Sequence, residues 1–366
     1  MKVFILTTES FPDGMAATHR VRCYARALVG GGIDCEVVLF PSEGEGVYKG
    51  VRYQGVRDVL DYVKRNLGSG DVLFLYLGKQ LELTISLAEL ARSRGAFCIR
   101  DLCELPYGTG GQNLKTLYFR KRLLHKQFPR FDGIISISDR LSSLARKHAS
   151  RSCRHIKVPI MVEPEGFIEG EFQEASEPYI FHSGTFLERK DGILGMIKAF
   201  GLAAPELDSS VKYIMAGNLD SSPQKEEILG LISGYALQDR IVFTGPLQDE
   251  ELRKYLMRAS LTILNKHPNS QNLNGFSTKL GEYLAAARPV VITDVGEAMN
   301  WLEDGRTAYV TPHGDTNALS NAIVKAFADP EGRRTIGLNG RELAMKSFDC
   351  MAWSKPLAAF INSLGK

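Results

Sequence analysis

Neither a cysteine framework nor a long apolar stretch is present in this chain. Its six cysteines, Cys23, Cys35, Cys98, Cys103, Cys153 and Cys350, form no Cys-x-x-Cys pair and no clustered Cys/His spacing. That argues against a structural zinc site and reads as reduced intracellular thiols. No run approaches the roughly 18 apolar residues of a spanning helix, and the opening "KVFIL" turns polar too soon for the apolar region of a signal peptide. A cytoplasmic protein is expected. Net charge is small as well, +3 over 366 residues, which gives no reason to invoke nucleic acid. No GxGxxG follows any predicted strand, and neither GxxxxGKS nor GxxxxGKT occurs, so nicotinamide chemistry and P-loop phosphoryl transfer lose their main support. An Asp-x-Asp pair is missing too, so a carboxylate-held Mg²⁺ bridging a diphosphate is not indicated. No metal ligand set is predicted.

What is present is a regular alternation. "KVFILTT", "CEVVLF", "DVLFLYL", "FCIRDL" and "FDGIISIS" read as buried strands, separated by helical patterns such as "ATHRVRCYARALV" and "LELTISLAELARSRG". Between 151 and 178 the pattern lapses into "VPIMVEPEGFIEGEFQEASEP", a candidate linker rich in Glu, Pro and Gly. It then restarts with the strands "YIFHSG", "VKYIMAG", "RIVFTG", "LTILN" and "PVVIT" and the helices between them. The length exceeds what one core usually supports. The fold class expected is therefore α/β, with two doubly wound Rossmann-like domains and a binding cleft beyond the carboxyl ends of the strands.

Any diphosphate bound without a metal must be neutralised by protein cations and helix N-termini. Two stretches offer them. "FHSGTFLERKDG" follows a strand with Gly184 and then Lys190, and "NLNGFSTKLGEYLAAARPVVIT" sets Ser277, Thr278 and Lys279 at the start of a helix. Free backbone N–H groups and the positive end of the dipole favour an anion there. Glu282 lies one turn further on, in the otherwise apolar "LGEYLAAA". An unpaired carboxylate is costly to bury in such a setting, so hydrogen bonding to sugar hydroxyls is its predicted role.

At these residues the chain resembles glycosyltransferase family 4, retaining enzymes of the GT-B fold. "SGTFLERKDG" is similar to the family's donor loop, "FSTKLGEYLAAARPVVITDVGE" to its donor helix and following strand, and "EDGRTAYVTPHGD" to the segment after it. "PDGMAATHRVRCYARAL" resembles the first glycine loop, and "FDCMAWSKPLAAFINSL" the last helix, so nearly the whole chain is covered. The resemblance implies an N-terminal acceptor-side domain at 1–165, a C-terminal nucleotide-sugar donor domain at 166–346, and a C-terminal helix at 347–366 crossing back to the first domain. It implies Lys190 on the donor diphosphate, Glu282 on the ribose, backbone at Phe276, Ser277 and Thr278 on phosphate or sugar, and backbone at Leu247 on the base. Gly184 and Lys279 complete the donor loop, and Gly14 would let the first-domain loop approach the sugar. Three positions depart from the family pattern. Asn274 stands where a first glutamate is common, Thr185 where arginine is common, and Cys103 near a common histidine. Glu104, beside Cys103, is the predicted acceptor-side polar group, and Asn274 is predicted to touch the sugar.

The expected function is retaining, metal-independent sugar transfer of the hexosyltransferase type. The donor would be a nucleotide-diphosphate sugar, with UDP the expected nucleotide, and the acceptor a glycan or lipid-linked molecule of polysaccharide assembly. No further cofactor is expected. The alternatives are a nucleotide-sugar epimerase of the same fold and a non-catalytic donor-binding partner subunit. Residues 113–131, "NLKTLYFRKRLLHKQFPRF", carry six Lys or Arg and no acid. At helical spacing Leu114, Leu117, Tyr118, Leu124 and Phe128 form one face, and Lys115, Arg122, Lys126 and Arg130 another, with Phe119 and Leu123 on the basic side. This reads either as a core-packed helix with a solvated basic face or as a peripheral membrane contact at the inner leaflet.

Overall fold

A computed structural model describes residues 1–105, 114–167 and 174–365. The chain divides into two compact units, Met1–Glu163 with Asn274–Phe276 and Phe348–Lys366, and Pro164–Leu273 with Ser277–Ser347. Unit 1 carries strands β1 (Lys2–Thr7), β2 (Asp34–Leu39), β3 (Glu45–Tyr48), β4 (Val51–Gly55), β5 (Val72–Tyr76), β6 (Phe97–Leu102), β7 (Gly133–Ser136) and β8 (Arg154–Lys157). They form one sheet in the order β3-β4-β2-β1-β5-β6-β7-β8, parallel apart from the β3–β4 pair. The central strands are buried along almost their whole length, the signature of a sheet covered on both faces.

Unit 2 carries β9 (Tyr179–Ser183), β10 (Lys212–Ala216), β11 (Ile241–Gly245), β12 (Leu261–Leu264), β13 (Val290–Thr293) and β14 (Tyr309–Thr311) in the parallel order β11-β10-β9-β12-β13-β14. The chain builds outward from β9 to β11, returns to lay β12 against the other side of β9, and builds outward again. β9 and β12 therefore flank the point where the winding reverses, the usual place for a ligand in such sheets. Ile180, Phe200, Tyr213, Met215, Ile263 and Val291 belong to the core beneath it.

Several expectations change. The β3–β4 hairpin has no counterpart in the sequence reading, because "GEGVYKGVRYQG" is polar and glycine-rich. Its turn at Lys49-Gly50 has φ 46 and 82, two successive left-handed residues that match the twist of a tight hairpin. Val158, Ile160, Met161 and Val162 are core residues of unit 1, so the first half of the supposed linker is packed structure. The basic segment also differs from a single regular helix; its residue 113 lies outside the described residues. The helix Leu114–Arg122 buries none of its residues and is followed by a π-helical turn at Leu123–Gln127 and a 3-10 turn at Phe128–Arg130. The wider turn advances each residue by less than 100°. Leu123 and Gln127 consequently point inward beside Phe128, while Leu114, Leu117 and Tyr118 are exposed. Leu123 on the basic face and an apolar core face at 114–118 are both overturned.

The C-terminal helix Ser354–Asn362 belongs to unit 1, with Leu357, Phe360 and Ile361 in its core. No helix among the described residues is long and apolar enough to cross a membrane.

Candidate functional site

The site is built where β9 and β12 end side by side. β9 leads into Gly184, whose N–H donates to the carbonyl of Ala216 at 2.9 Å. The chain then makes a short helical turn, Glu188–Asp191, closed by Gly192 with φ 62. From β12 comes "NKHPN", which is stapled onto that turn. Asn265 Nδ2 donates to the Gly192 carbonyl at 2.8 Å, Lys266 Nζ to the Lys190 carbonyl at 2.8 Å, and Asn269 Nδ2 to the Arg189 carbonyl at 2.7 Å. His267 Nε2 meets Glu188 Oε1 at 2.8 Å. The helix Thr278–Ala285 adds the third wall.

At the centre lies the carboxylate of Asp191, whose side chain is fully buried. Lys279 Nζ lies 2.6 Å and Lys266 Nζ 3.3 Å from its Oδ1, and these two side chains retain only 17% and 11% exposure. Thr185 N and Oγ1 both reach Oδ2 at 3.4 Å. Burial opposes ionisation of Asp191, yet the ammoniums of Lys279 and Lys266 hold it well below the usual carboxylate range. Burial also pushes Lys266 down to about 8, helped by repulsion from Lys279 and opposed by Asp191. Burial likewise lowers Lys279, again opposed by Asp191.

Under this cluster sits His182, with no exposed surface. Its Nδ1 is 3.1 Å from the Ile263 carbonyl, so Nδ1 carries the proton and Nε2 keeps a lone pair. That Nε2 has no hydrogen-bond partner among the described residues. Burial, with Lys279 close by, pushes the ring down to about 3. Gly184 explains the room here. A Cβ on it would stand 2.8 Å from each of Asp191 Oδ2, His182 Nε2 and Lys279 Nζ.

The helix Thr278–Ala285 starts at Ser277, whose side chain makes no capping hydrogen bond. Its first-turn N–H groups therefore add to the positive end of the dipole. Two buried ammoniums against one carboxylate, next to an uncapped helix start, make a site for an anion bearing more than one charge. Lys190, half-buried, repels both Lys266 and Lys279, which places its charge near them. Glu282, half-buried, draws on Lys279.

Gly184, Lys190, Ser277, Thr278, Lys279 and Glu282 are thus brought together. Leu247 follows β11, two strands from β9, and is half-buried outside the lysine cluster. The remaining predicted residues belong to unit 1. Gly14 is exposed, ahead of the helix Ala16–Gly30. Glu104 is exposed after β6. Asn274 accepts at its carbonyl from Ser138 Oγ at 2.5 Å, and Phe276 is buried edge-on to Phe348. Cys103 Sγ lies 3.7 Å from Tyr76 Oη, and burial pushes its thiol up to about 12. Sequence reasoning missed Lys266 and Asp191, and took His182 as a structural or surface residue rather than part of the site. Lys266 follows the strand "LTILN" almost at once, and this position beyond a strand's carboxyl end was the available signal.

Unit 1 has its own concavity, of about 380 Å³, beyond the carboxyl ends of β1 and β2. Glu9, Ser10, Ser42 and Glu43 line it with Phe11 and Tyr53. No group of three or more His, Cys, Asp or Glu among the described residues could hold a metal ion.

Known proteins can be set beside this geometry. The family described as Glycosyl transferases group 1 matches residues 177–329, the part that holds the lysine cluster. N-acetyl-alpha-D-glucosaminyl L-malate synthase of Bacillus anthracis is 25% identical over 173 residues, covering 47% of this chain and 42% of that protein. The chain spans less than half the length of the curated relatives it matches. Among solved structures, sucrose-phosphate synthase from Thermosynechococcus elongatus superposes with a TM-score of 0.73 at 18% identity, over 100% of this chain and 99% of that one. Anabaena HepE in complex with UDP-glucose gives a TM-score of 0.72 at 16% identity, over 99% and 100%. Residues 177–329 therefore match the glycosyltransferase group 1 family, in a chain whose fold matches that of GT-B glycosyltransferases.

Proposed function

We propose that this protein is a retaining, metal-independent glycosyltransferase that moves a sugar from a nucleotide-diphosphate sugar, with UDP the expected nucleotide, to a glycan or lipid-linked acceptor in cell-surface polysaccharide assembly. The observation that carries the reading is the pair of buried ammoniums, Lys266 and Lys279, beside the uncapped helix start at Ser277. In this reading the two lysines, Lys190 and the N–H groups of Ser277 and Thr278 take the diphosphate. Glu282 accepts from the ribose hydroxyls, backbone at Leu247 meets the base, and Gly184 lets the phosphates approach closely. Negative charge grows on the leaving diphosphate as its bond to the sugar breaks. Fixed cations and oriented N–H groups stabilise that charge without reorganising. The leaving phosphate oxygen takes the acceptor's proton on the face it departs from, so the sugar keeps its anomeric configuration. Gly14, Glu104, Asn274 and Phe276 are assigned to the sugar and acceptor side.

No cofactor enters this scheme beyond the donor. Support comes from a structural neighbour bound to UDP-glucose and from the family match over the donor half. The exposed, acid-free helix Leu114–Arg122 would bring the enzyme to an anionic lipid surface at the inner leaflet. Binding to acidic vesicles that weakens with salt checks that contact, and salt-insensitive binding or none removes it.

The decisive experiment is a thermal-shift panel of nucleoside diphosphates in chelator-treated buffer, run on the wild type, Lys279→Ala and Glu282→Ala. One nucleotide should stabilise the wild type, and both substitutions should abolish its effect. No stabilisation by any nucleotide at millimolar concentration would overturn the reading. Incubation with the matching donor and candidate acceptors, followed by NMR of the product anomer, then tests retention.

A further inference from the structure

A carboxylate at the heart of an anion site needs a reason. Asp191 cannot itself bind a phosphate, and a neutral residue there would leave the site more positive. Its side chain is fully buried, and both of its oxygens are committed. Oδ1 takes the ammoniums of Lys266 and Lys279, and Oδ2 faces Thr185. We propose that Asp191 is a positioning residue of the diphosphate site, whose carboxylate keeps the neighbouring ammoniums of Lys266 and Lys279 protonated and aimed at one point beside Gly184, and so sets the pH range over which a diphosphate binds. This rests on the reading of the cluster as the donor-diphosphate site.

Two ammoniums drawn toward one point in a poorly solvated pocket repel each other, and each is destabilised by its own burial. Lys266, at about 8, is already close to losing its proton. Of the other groups facing the pair, none replaces Asp191. Lys190 adds a third positive charge, and a protonated His182 would add a fourth. Tyr213 and Tyr283 interact with Asp191, but burial pushes both phenols up, so they stay neutral. Glu282 also attracts Lys279, but more weakly than Asp191 does. Without Asp191, both lysines should lose their charge at lower pH, and the site should stop binding diphosphate near neutrality.

Titration calorimetry with UDP and with inorganic pyrophosphate, from pH 6 to 9.5, tests this on the wild type, Asp191→Asn, Asp191→Glu and Lys266→Arg. Wild-type affinity should fall through about pH 8, as Lys266 loses its proton. In Asp191→Asn that alkaline fall should begin at least one pH unit lower, and Asp191→Glu should recover part of the wild-type profile. Lys266→Arg, which does not titrate in this range, should carry binding unweakened past pH 9 and serves even if Asp191→Asn folds poorly. A purely structural aspartate would change stability or affinity evenly at every pH, and an unshifted alkaline limb would overturn the proposal. So would tighter binding by Asp191→Asn at every pH, because the carboxylate would then be only a competitor of phosphate. If the wild type binds neither ligand at any pH, the donor-site reading itself fails, and this proposal with it.

Discussion

A buried ion pair of unit 1 and the lysine cluster of unit 2 hold charge in opposite ways. In unit 1, Arg20 lies 3.1 Å from Asp101 and also donates to Tyr24 Oη at 2.5 Å, to the Pro159 carbonyl at 2.7 Å and to the Val158 carbonyl at 3.1 Å. Tyr24 Oη donates to Asp101 in turn, at 2.5 Å. One cation faces one anion, the donors are used internally, and both side chains are almost without exposure. In unit 2 the ratio is two ammoniums to one carboxylate, both ammoniums keep some exposure, and the adjoining helix start is uncapped. A saturated pair is architecture, whereas an unsaturated cluster has capacity left for a ligand. The concavity of unit 1 sharpens the contrast, since Glu9 and Glu43 line it where lysines stand in unit 2.

The largest test of this contrast is in unit 1. Arg20→Ala strands Asp101 as a buried, unpaired charge and should cost about 3–5 kcal/mol, read as a lower urea midpoint. Binding of nucleotide should be unchanged at temperatures where the variant stays folded. Lys279→Ala should do the reverse. It leaves Asp191 paired with Lys266, so the stability loss should be smaller. Losing one charge-assisted contact of about 1.5–3 kcal/mol should weaken diphosphate binding by roughly ten- to a hundredfold. An equal stability loss for the two variants would erase the distinction between architecture and site.

Gly184→Ala probes how tightly the unit 2 cluster is built. Its new Cβ would press on Asp191, His182 and Lys279, with an overpacking cost of about 1–3 kcal/mol and a loss of nucleotide-dependent thermal shift. The smallest effect concerns pH. His182 is held neutral in the fold down to about pH 3, whereas in the unfolded chain it takes up a proton near pH 6.5. Below 6.5 the unfolded state binds more protons, so stability falls with pH, by about 1 kcal/mol per unit over the first stretch. His182→Gln should flatten the part of the melting-temperature profile between pH 6.5 and 5. An unchanged slope would assign that limb to the carboxylates alone.

Much of the second unit was legible in advance. The strand "YIFHS" ends before Gly184, and "STKLGEYLA" forms the helix whose first turn carries Lys279. Both follow from local periodicity and from the chemistry of helix starts. The hairpin β3–β4 escaped because pairing register, rather than composition, made strands of a polar stretch. The basic segment was misread because a π-helical turn rotated its faces.

By itself, then, the sequence determined two doubly wound halves, the loop at Gly184, the lysine at a helix start, and the lack of dinucleotide, P-loop and metal-binding fingerprints. Tertiary structure alone decided which charges meet. Asp191 reaches Lys266 across 75 residues and Lys279 across 88, because β12 returns to lie beside β9. Periodicity reports which face a residue occupies within its own element. The return of the chain decides which ends lie side by side, and so whether a buried ion is matched or left with capacity for a ligand.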